Sequence, residues 1–506
     1  MRAVAAPTCA SPVPEPAGSA ANESTVSSTP SVSSTLSVSS TPSDWPLRAL
    51  PDAEPRCFWL DRRERPAPSP ACTGPAECDL AIVGGGYTGL WAALRAKQRD
   101  PGRDVVLLEG TRIAEGASGR NGGFADTSLA HGIMNGLHHF PDDMKVLHEL
   151  GRRHFGELLA DLEQHGIDAG YEATGKLEVA TGPGQLAELE EHHAALARFG
   201  SESRLLGREA VRAELDSPGY QGGLEIPYGG LVDPARLAWG LARAAATLGV
   251  RIHEHSPVTG LRRAGAAIEL LLPGGRLRAR RVVLATNAYR SPLRRLRLSS
   301  IPVWDYVLVS EPLSASQRSA IGWKRRQGVG DCGNQFHYYR LTADDRILWG
   351  GYDAIYGYAS STSPELERRP QSYRTLSRNF FATFPQLEGL RFSHRWAGPI
   401  ATTTRFCLDA GRTRDGCIAW AGGYTGLGVV ASRFGAGVAL DLLERPDAPY
   451  LQLALLRRRP IPWPPEPLRY LAVQWTRREL ARADRNDGRR GLWLRLLDSL
   501  KLGYDS

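Results

Sequence analysis

The sequence predicts an α/β protein in which a doubly wound parallel sheet is joined to a second unit built on an antiparallel sheet. Three observations carry this reading: an apolar run, a glycine turn, a helical stretch and a second apolar run follow one another from Asp79 to Glu109; a long helical stretch, Pro234 to Leu248, leads into further strands; and aromatic-rich alternating runs fill residues 302 to 353. At 506 residues the chain is long enough for two to four domain-sized units, some built from discontinuous segments.

Composition sets the outer limits. Hydrophobic residues at 42% and charged residues at 23% match ordinary globular usage. The chain contains no apolar run of the length a membrane-spanning helix requires. Its net charge of +8 comes from 62 basic and 54 acidic residues spread without blocks, so nucleic acid is not an implied partner. Seven cysteines, an odd number without a CxxC pair, are expected to be reduced thiols in a cytoplasmic protein.

Residues 1–43 are Ser, Thr, Pro and Ala with an imperfect SSTPSVSSTLSVSSTPS repeat, and are expected to form a disordered tail. Pro7, Pro12, Pro14 and Pro16 interrupt its weakly apolar start, which argues against a secretory signal, and no hydrophobic run precedes Cys9 as a lipidation site would need. Residues 44–76 remain Pro-rich but carry Trp45, Phe58 and Trp59, which suggests an extended arm lying on the body.

The globular part is expected from about Glu77. Asp79-Leu-Ala-Ile-Val83 reads as a strand, Leu90 to Arg99 as a helix and Asp104 to Glu109 as the next strand, one βαβ unit. Helices are expected over 142–165 and 184–199 with a strand at 171–181 between them. Strands are expected near 250–253, 267–272, 281–285, 302–311, 336–341 and 346–352, and tail helices over 466–485 and 491–501.

Gly84, Gly86 and Gly89 form GxGxxG between that first strand and helix, and Glu109 stands twenty residues after the last glycine. The first glycine permits the turn, the second lets backbone approach a pyrophosphate, and the third allows close helix packing; Glu109 can hold a ribose hydroxyl pair. A tight turn without ligand is the alternative. FAD and NAD share this fingerprint, and three further stretches decide for FAD: the loop Glu115-Gly-Ala-Ser-Gly-Arg-Asn-Gly-Gly123, the strand end Ala285-Thr-Asn-Ala-Tyr289, and Ala421-Gly-Gly-Tyr-Thr-Gly-Leu-Gly428, which opens another helix.

From about Phe58 to its end the chain resembles the D-amino-acid oxidase-like FAD-dependent oxidoreductases, which include glycine, sarcosine and γ-glutamylputrescine oxidases. The stretches that carry the resemblance are CDLAIVGGGYTGL, EGASGRNGGF, GGLVDPARLAWGLARAA, VVLATNAY, HRWAGPIATTT and AGGYTGLGVVASRFGAG, and the loop GASGRNGG is most similar to the γ-glutamylputrescine oxidase-like branch. The resemblance implies a Rossmann-like FAD-binding domain from residues 77–130, 225–297 and 394–446, a substrate domain from 131–224 and 298–393, and a C-terminal helical tail over 447–506. The residues expected to bind FAD are Gly84, Gly86, Tyr87, Thr88, Gly89, Glu109, Gly110, Gly116, Ala117, Ser118, Arg120, Asn121, Gly122, Gly123, Val258, Thr286, Asn287, Gly423, Thr425, Gly426, Gly428 and Val429. No His or Cys stands in the 115–123 loop and Cys407 is a doubtful candidate, so attachment is expected to be non-covalent.

Enzymes of this kind oxidise the C–N bond of an amine or amino acid: hydride passes to flavin N5, and the resulting imine hydrolyses. The expected partners are a small amine substrate and oxygen, reduced to hydrogen peroxide. Candidate catalytic residues are His337, Tyr338, Tyr339, Arg340, Tyr352 and Asp353, near Trp349 and Tyr356. Alternation places Tyr338 and Arg340 on one face and His337 and Tyr339 on the other, without saying which faces the flavin. Sheet packing for the tyrosines, a satisfied histidine, a sheet-edge ion pair for Arg340 and turn capping for Asp353 stay open.

Sarcosine oxidase-like relatives carry an oxygen-activating lysine in the strand resembling Arg346 to Tyr352, and this strand has none. A flavin dehydrogenase or biosynthetic tailoring enzyme using another acceptor is therefore the alternative, and a non-catalytic flavin-binding subunit a third reading. No metal is expected, since His131, His138 and His139 lack a ligand spacing. The basic amphipathic stretch around Leu492, Leu496, Leu497 and Leu500 is expected to dock on the body, with a membrane surface as the alternative.

Overall fold

The computed structural model describes residues 44–486 and 488–502; the expectations for residues 1–43 and Cys9 lie outside them. One sheet runs, in spatial order, through Asp409–Arg412, Ile418–Gly422, Gly275–Leu284, Gly74–Val83, Val105–Leu108 and Arg251–His253. The four strands from Ile418–Gly422 to Val105–Leu108 pair in parallel, as does the edge strand Arg251–His253. Strand Asp409–Arg412 is antiparallel, and Ala267–Leu272 with Gly260–Ala264 extends Gly275–Leu284 as an antiparallel meander.

The parallel strands are apolar throughout because both faces are covered. Alternation sends Leu80 and Ile82 into a core with Leu90, Trp91 and Phe434 of helices Tyr87–Arg99 and Ala431–Glu444. Ala81 and Val83 point the other way, onto Leu270, Leu277 and Val282. Burying eight or so large side chains of this kind stabilises the layer by roughly 1.5–3 kcal/mol each, before the entropy of ordering them is counted.

The second sheet also has eight strands, in the order Phe392–Thr402, Ile301–Ser310, Ile347–Tyr356, His337–Leu341, Gly328–Asp331, Lys176–Ala180, Gly222–Ile226 and Arg204–Gly207. It is antiparallel except where Gly328–Asp331 meets Lys176–Ala180. Helix Pro370–Thr383 covers one face, packing Tyr373, Leu376 and Phe380 against Trp304, Tyr306, Tyr339 and Trp349. A two-stranded pair, Phe124–Ala125 with Gly230–Leu231, carries the chain past the glycine loop.

These two sheets are the doubly wound and antiparallel units that the sequence predicts. Strands Gly275–Leu284 and Ile347–Tyr356 run longer than expected, and Lys176–Ala180 is shorter. Residues 44–76 differ more. They include the helix Trp45–Arg48, and Ala49, Leu50, Ala53, Cys57, Trp59 and Leu60 are buried. Trp59 donates its indole N–H to the Asn121 carbonyl at 3.0 Å, so the arm belongs to the core under the glycine loop. Proline content signals extended backbone; burial is decided by the aromatic side chains.

The tail forms helices Leu468–Arg485 and Leu492–Ser499. Among the described residues, no helix is long and apolar enough to cross a membrane.

Candidate active site

The glycine turn is dictated by contact distances. Gly84 has φ +114°, and a Cβ there would sit 2.5 Å from the Ala285 carbonyl oxygen; at Gly89 it would sit 1.9 Å from the Gly84 oxygen. Helix Tyr87–Arg99 begins at Gly86, which has no side chain to cap it, and carries no acidic residue in its first turn; apart from the Tyr87 N–H, which Ser118 accepts, its positive end suits an anion. Helix Ala431–Glu444 likewise starts without a side-chain cap. The Glu109 carboxylate is fixed at the end of its strand by the N–H groups of Gly85 (2.6 Å) and Thr111 (2.8 Å). Gly110 packs near Pro257, which brings the half-buried Val258 beside the same turn.

The second glycine loop is braced from within. Ser118 Oγ accepts the Tyr87 N–H at 2.9 Å, joining the two loops. Asn121 donates to the carbonyls of Ala117 (3.0 Å) and Ser118 (2.9 Å) and accepts the Gly123 N–H at 2.7 Å. Arg120 donates to Glu367 (2.6 Å), to the Ala397 carbonyl (2.9 Å) and to Glu115. Burial opposes ionisation of Glu115, but its bond from Arg65 and the charge of Arg120 hold it below the usual carboxylate range. Arg120 and Asn121 thus direct these polar groups at the protein. Gly116 faces Tyr289. Asn287, beside Thr286, accepts the Gly423 N–H at 3.0 Å, and Thr425 donates its N–H to the Ala401 carbonyl.

These loops open onto a cavity of about 910 Å³. Gly86, Tyr87, Thr88, Ala117, Ser118, Arg120, Asn121, Gly122, Asn287, Thr425, Gly426, Gly428 and Val429 line it, while Gly84, Gly89, Gly116 and Gly123 stand behind and set the backbone. Glu109, Gly110, Val258, Thr286 and Gly423 also lie outside the lining.

The Tyr338 and Arg340 face of strand His337–Leu341 packs on the second glycine loop: a Cβ at Gly122 would sit 2.8 Å from the Tyr338 ring. Tyr338 lines the cavity, packs edge-on to Phe124 at 5.9 Å and donates its hydroxyl to Asp305 at 2.5 Å. Arg340, buried behind the loop, donates to the carbonyls of Val232 (2.7 Å) and Gly122 (3.4 Å); burial lowers its guanidinium to about 10. The opposite face holds Tyr339, bonded to Tyr220 at 2.5 Å and 1% exposed in the aromatic core. His337 is there too, stacked between Trp349 and Tyr352, donating from Nδ1 to Asp331 and accepting from the Asn379 amide, both at 3.0 Å.

Strand Ile347–Tyr356 kinks where Gly351, Tyr352 and Asp353 all have positive φ. The kink leaves Tyr352 in the cavity and turns Asp353 to Ser372 (2.6 Å) and Arg477 of the tail (3.2 Å). Of the six candidate catalytic residues, Tyr338 and Tyr352 line the cavity; His337, Tyr339, Arg340 and Asp353 do not.

Asp305 is the residue that sequence reasoning missed. It lies in IPVWDYVLVS, and its one available signal is a lone carboxylate in an otherwise apolar strand. Burial pushes its carboxyl up to about 6, against the lowering effect of the Tyr338 hydroxyl. A charged group elsewhere in the lining joins Lys176 to Glu178 (2.7 Å) and Asp126 (3.5 Å), and His192 to Glu178 (2.7 Å). Cys407 is in neither group: it lies outside the lining, 1% exposed, its thiol raised by burial to about 11.

Helix starts whose N-cap residues supply no side-chain cap, a glycine turn too tight for any Cβ, a clamped carboxylate and a cavity of this volume define a dinucleotide-binding flavoprotein scaffold and fit FAD. A family model described as DAO, FAD dependent oxidoreductase, matches residues 79–442. The gamma-glutamylputrescine oxidoreductase of Escherichia coli (strain K12) is 34% identical over 392 residues, 76% of this chain and 88% of that protein. The glycine oxidase of Geobacillus kaustophilus is 28% identical over 304 residues, 57% of this chain and 78% of that protein. The crystal structure of glycine oxidase from Geobacillus kaustophilus shares the fold, with a TM-score of 0.65 at 22% identity over 76% of this chain and 99% of that one.

The chain belongs to the DAO family of FAD-dependent oxidoreductases. It is an enzyme of the amine and amino-acid oxidoreductase class, with FAD as its cofactor.

Proposed function

We propose that the enzyme oxidises the C–N bond of a primary or secondary amine or amino acid, with oxygen as electron acceptor, releasing hydrogen peroxide and an imine that water hydrolyses. FAD, when bound, supplies the two-electron acceptor for that chemistry. The residues expected to hold it are those of the two glycine loops, Glu109 and the 423–429 turn, without a covalent bond.

The observation that carries this reading is the Asp305–Tyr338 pair, which lines the cavity beside the second glycine loop. An ammonium entering the cavity meets a carboxylate whose burial makes it a stronger base than a free one. Asp305 holds the cation and accepts its proton; Tyr338 orients the acceptor oxygen; Phe124, packed edge-on to Tyr338, and Tyr352 supply aromatic lining. The charged group of Asp126, Lys176, Glu178 and His192 gives the cavity a second polar region. That arrangement supports a substrate carrying a charged or zwitterionic group besides its reacting amine, in keeping with the gamma-glutamylputrescine named for the Escherichia coli relative.

One observation favours a second reading. Strand Ile347–Tyr356 contains no lysine, and the Asp305–Tyr338 pair serves amine oxidation whatever the acceptor. A dehydrogenase using a quinone or protein acceptor is that alternative.

Anaerobic mixing of the purified flavoprotein with a panel of amines and amino acids tests the proposal. Bleaching of the flavin band by an amine, followed by recolouring and peroxide in air, is the expected result. Bleaching that dye reverses and air does not transfers the reading to a dehydrogenase, and no bleaching by any amine overturns both.

A further inference from the structure

We propose that the C-terminal helix pair is a docking surface for an anionic lipid bilayer. This inference is independent of which amine the cavity accepts.

Helix Leu468–Arg485 shows one outward stripe at helical spacing: Leu468, Leu471 and Trp475, continued by Arg478, Arg482 and Arg485. In helix Leu492–Ser499 and the residues just after it, the exposed positions are Leu492, Arg495, Leu496, Ser499, Leu500 and Lys501. Leu492 is 85% exposed and Trp475 53%, values a body-docked amphipathic helix does not need.

Among the described residues, the exposed charges on this surface are of one sign. Among the described residues 468–502, no acidic side chain is exposed. Asp484 accepts the N–H groups of Asn334 (2.8 Å) and Gln335 (3.0 Å), Asp498 pairs with Arg490 (3.2 Å), and Glu479, largely covered, lies 3.9 Å from the exposed Arg482. The acids therefore fasten the pair to the body and to itself, while the outward side presents leucine, tryptophan and arginine. Long cationic side chains beside Leu and Trp suit a headgroup layer, where the apolar part enters and the guanidinium reaches phosphate.

The pair is firmly attached. Arg477 bonds Asp353 and Trp493 donates to Thr476 at 2.9 Å, so the outward stripe is not a displaced core face. Leu496 and Leu500 are half-exposed and also line the cavity, which places the cavity's edge at the docking surface.

The test is sedimentation of the full-length flavoprotein with vesicles of phosphatidylcholine alone or with phosphatidylglycerol added, at low and high salt. Pelleting is expected with the anionic vesicles, weakening with salt. The triple variant Leu471→Ser, Trp475→Ser, Leu492→Ser and the triple variant Arg478→Gln, Arg482→Gln, Arg485→Gln, each checked for flavin content and Tm, are expected to lower partitioning by about tenfold or more. In the wild type, brominated lipid is expected to quench a tryptophan signal that Trp475→Phe removes.

Absence of pelleting overturns the proposal. So does pelleting that neither triple variant reduces, which assigns binding to another segment. A dimer in the absence of lipid that the apolar variant dissociates also overturns it, since a second copy then covers the stripe.

Discussion

Tyr338 donates its hydroxyl to Asp305 across 2.5 Å, and both side chains line the cavity onto which the two glycine loops open. The two residues are 33 apart in sequence and lie on strands separated by Ile347–Tyr356. With its carboxyl raised to about 6, Asp305 changes charge inside the working pH range. In the free enzyme kcat/KM should fall as pH drops below about 6, because protonation removes both the anion and the base. Asp305→Asn should lose that acid limb and lower kcat/KM by about 10²–10⁴-fold. Stopped-flow reduction rates across pH measure both effects.

The same carboxyl makes an opposite prediction for stability. A folded-state value raised above the unfolded one favours the protonated fold, so this contribution is complete below pH 4 and is lost as pH rises through 6. Asp305→Asn, neutral at every pH, should therefore be more stable than the wild type at pH 8, by at most about 3 kcal/mol, and no more stable near pH 4. Chemical denaturation of the two proteins at both pH values gives the comparison. A variant destabilised at pH 8 would show that the carboxylate is held for structure.

Tyr338→Phe isolates the hydrogen bond. The tyrosine hydroxyl lowers the Asp305 carboxyl, so its removal should move the acid limb of kcat/KM to higher pH while FAD content stays unchanged. An unmoved limb assigns that titration to another group.

The glycine turn and Glu109 were legible in the sequence because their demands are local: a strand, a turn without Cβ atoms and a helix are written in consecutive residues. Asp305 was not, because its partner is reached only through sheet pairing. Period-two alternation separated Tyr338 and Arg340 from His337 and Tyr339, yet the inward direction was settled by helix Pro370–Thr383 covering the Tyr339 side. Asp353 escaped simple alternation altogether, since three successive positive φ values rotate it toward Arg477. Residues 44–76 read as an arm on composition, while Trp59, 2% exposed, is a buried prop beneath Asn121.

Gly89→Ala tests the turn. Its Cβ would lie 1.9 Å from the Gly84 oxygen, a backbone atom that cannot withdraw without opening the turn. The variant should purify without flavin or fail to fold. Gly102→Ala, whose nearest neighbour is a carboxylate oxygen at 3.5 Å, should keep full colour and Tm.

Arg340 underpins the second loop, and its removal should separate cofactor retention from chemistry. It is 2% exposed and its Nη1 bridges the carbonyls of Val232 and Gly122, with the Glu172 carboxylate 3.5 Å from Nη2. A lysine carries the charge but not the planar fork, and cannot meet these acceptors together. Methionine fills the space and leaves the carbonyls without a donor, a cost of about 1–3 kcal/mol for each buried group stranded. Both variants should release FAD more readily and unfold at lower temperature, lysine less than methionine. Because Arg340 lies outside the cavity lining, reduction of the FAD-saturated variants by substrate should keep the wild-type pH profile. A shifted profile would make Arg340 part of the substrate site instead.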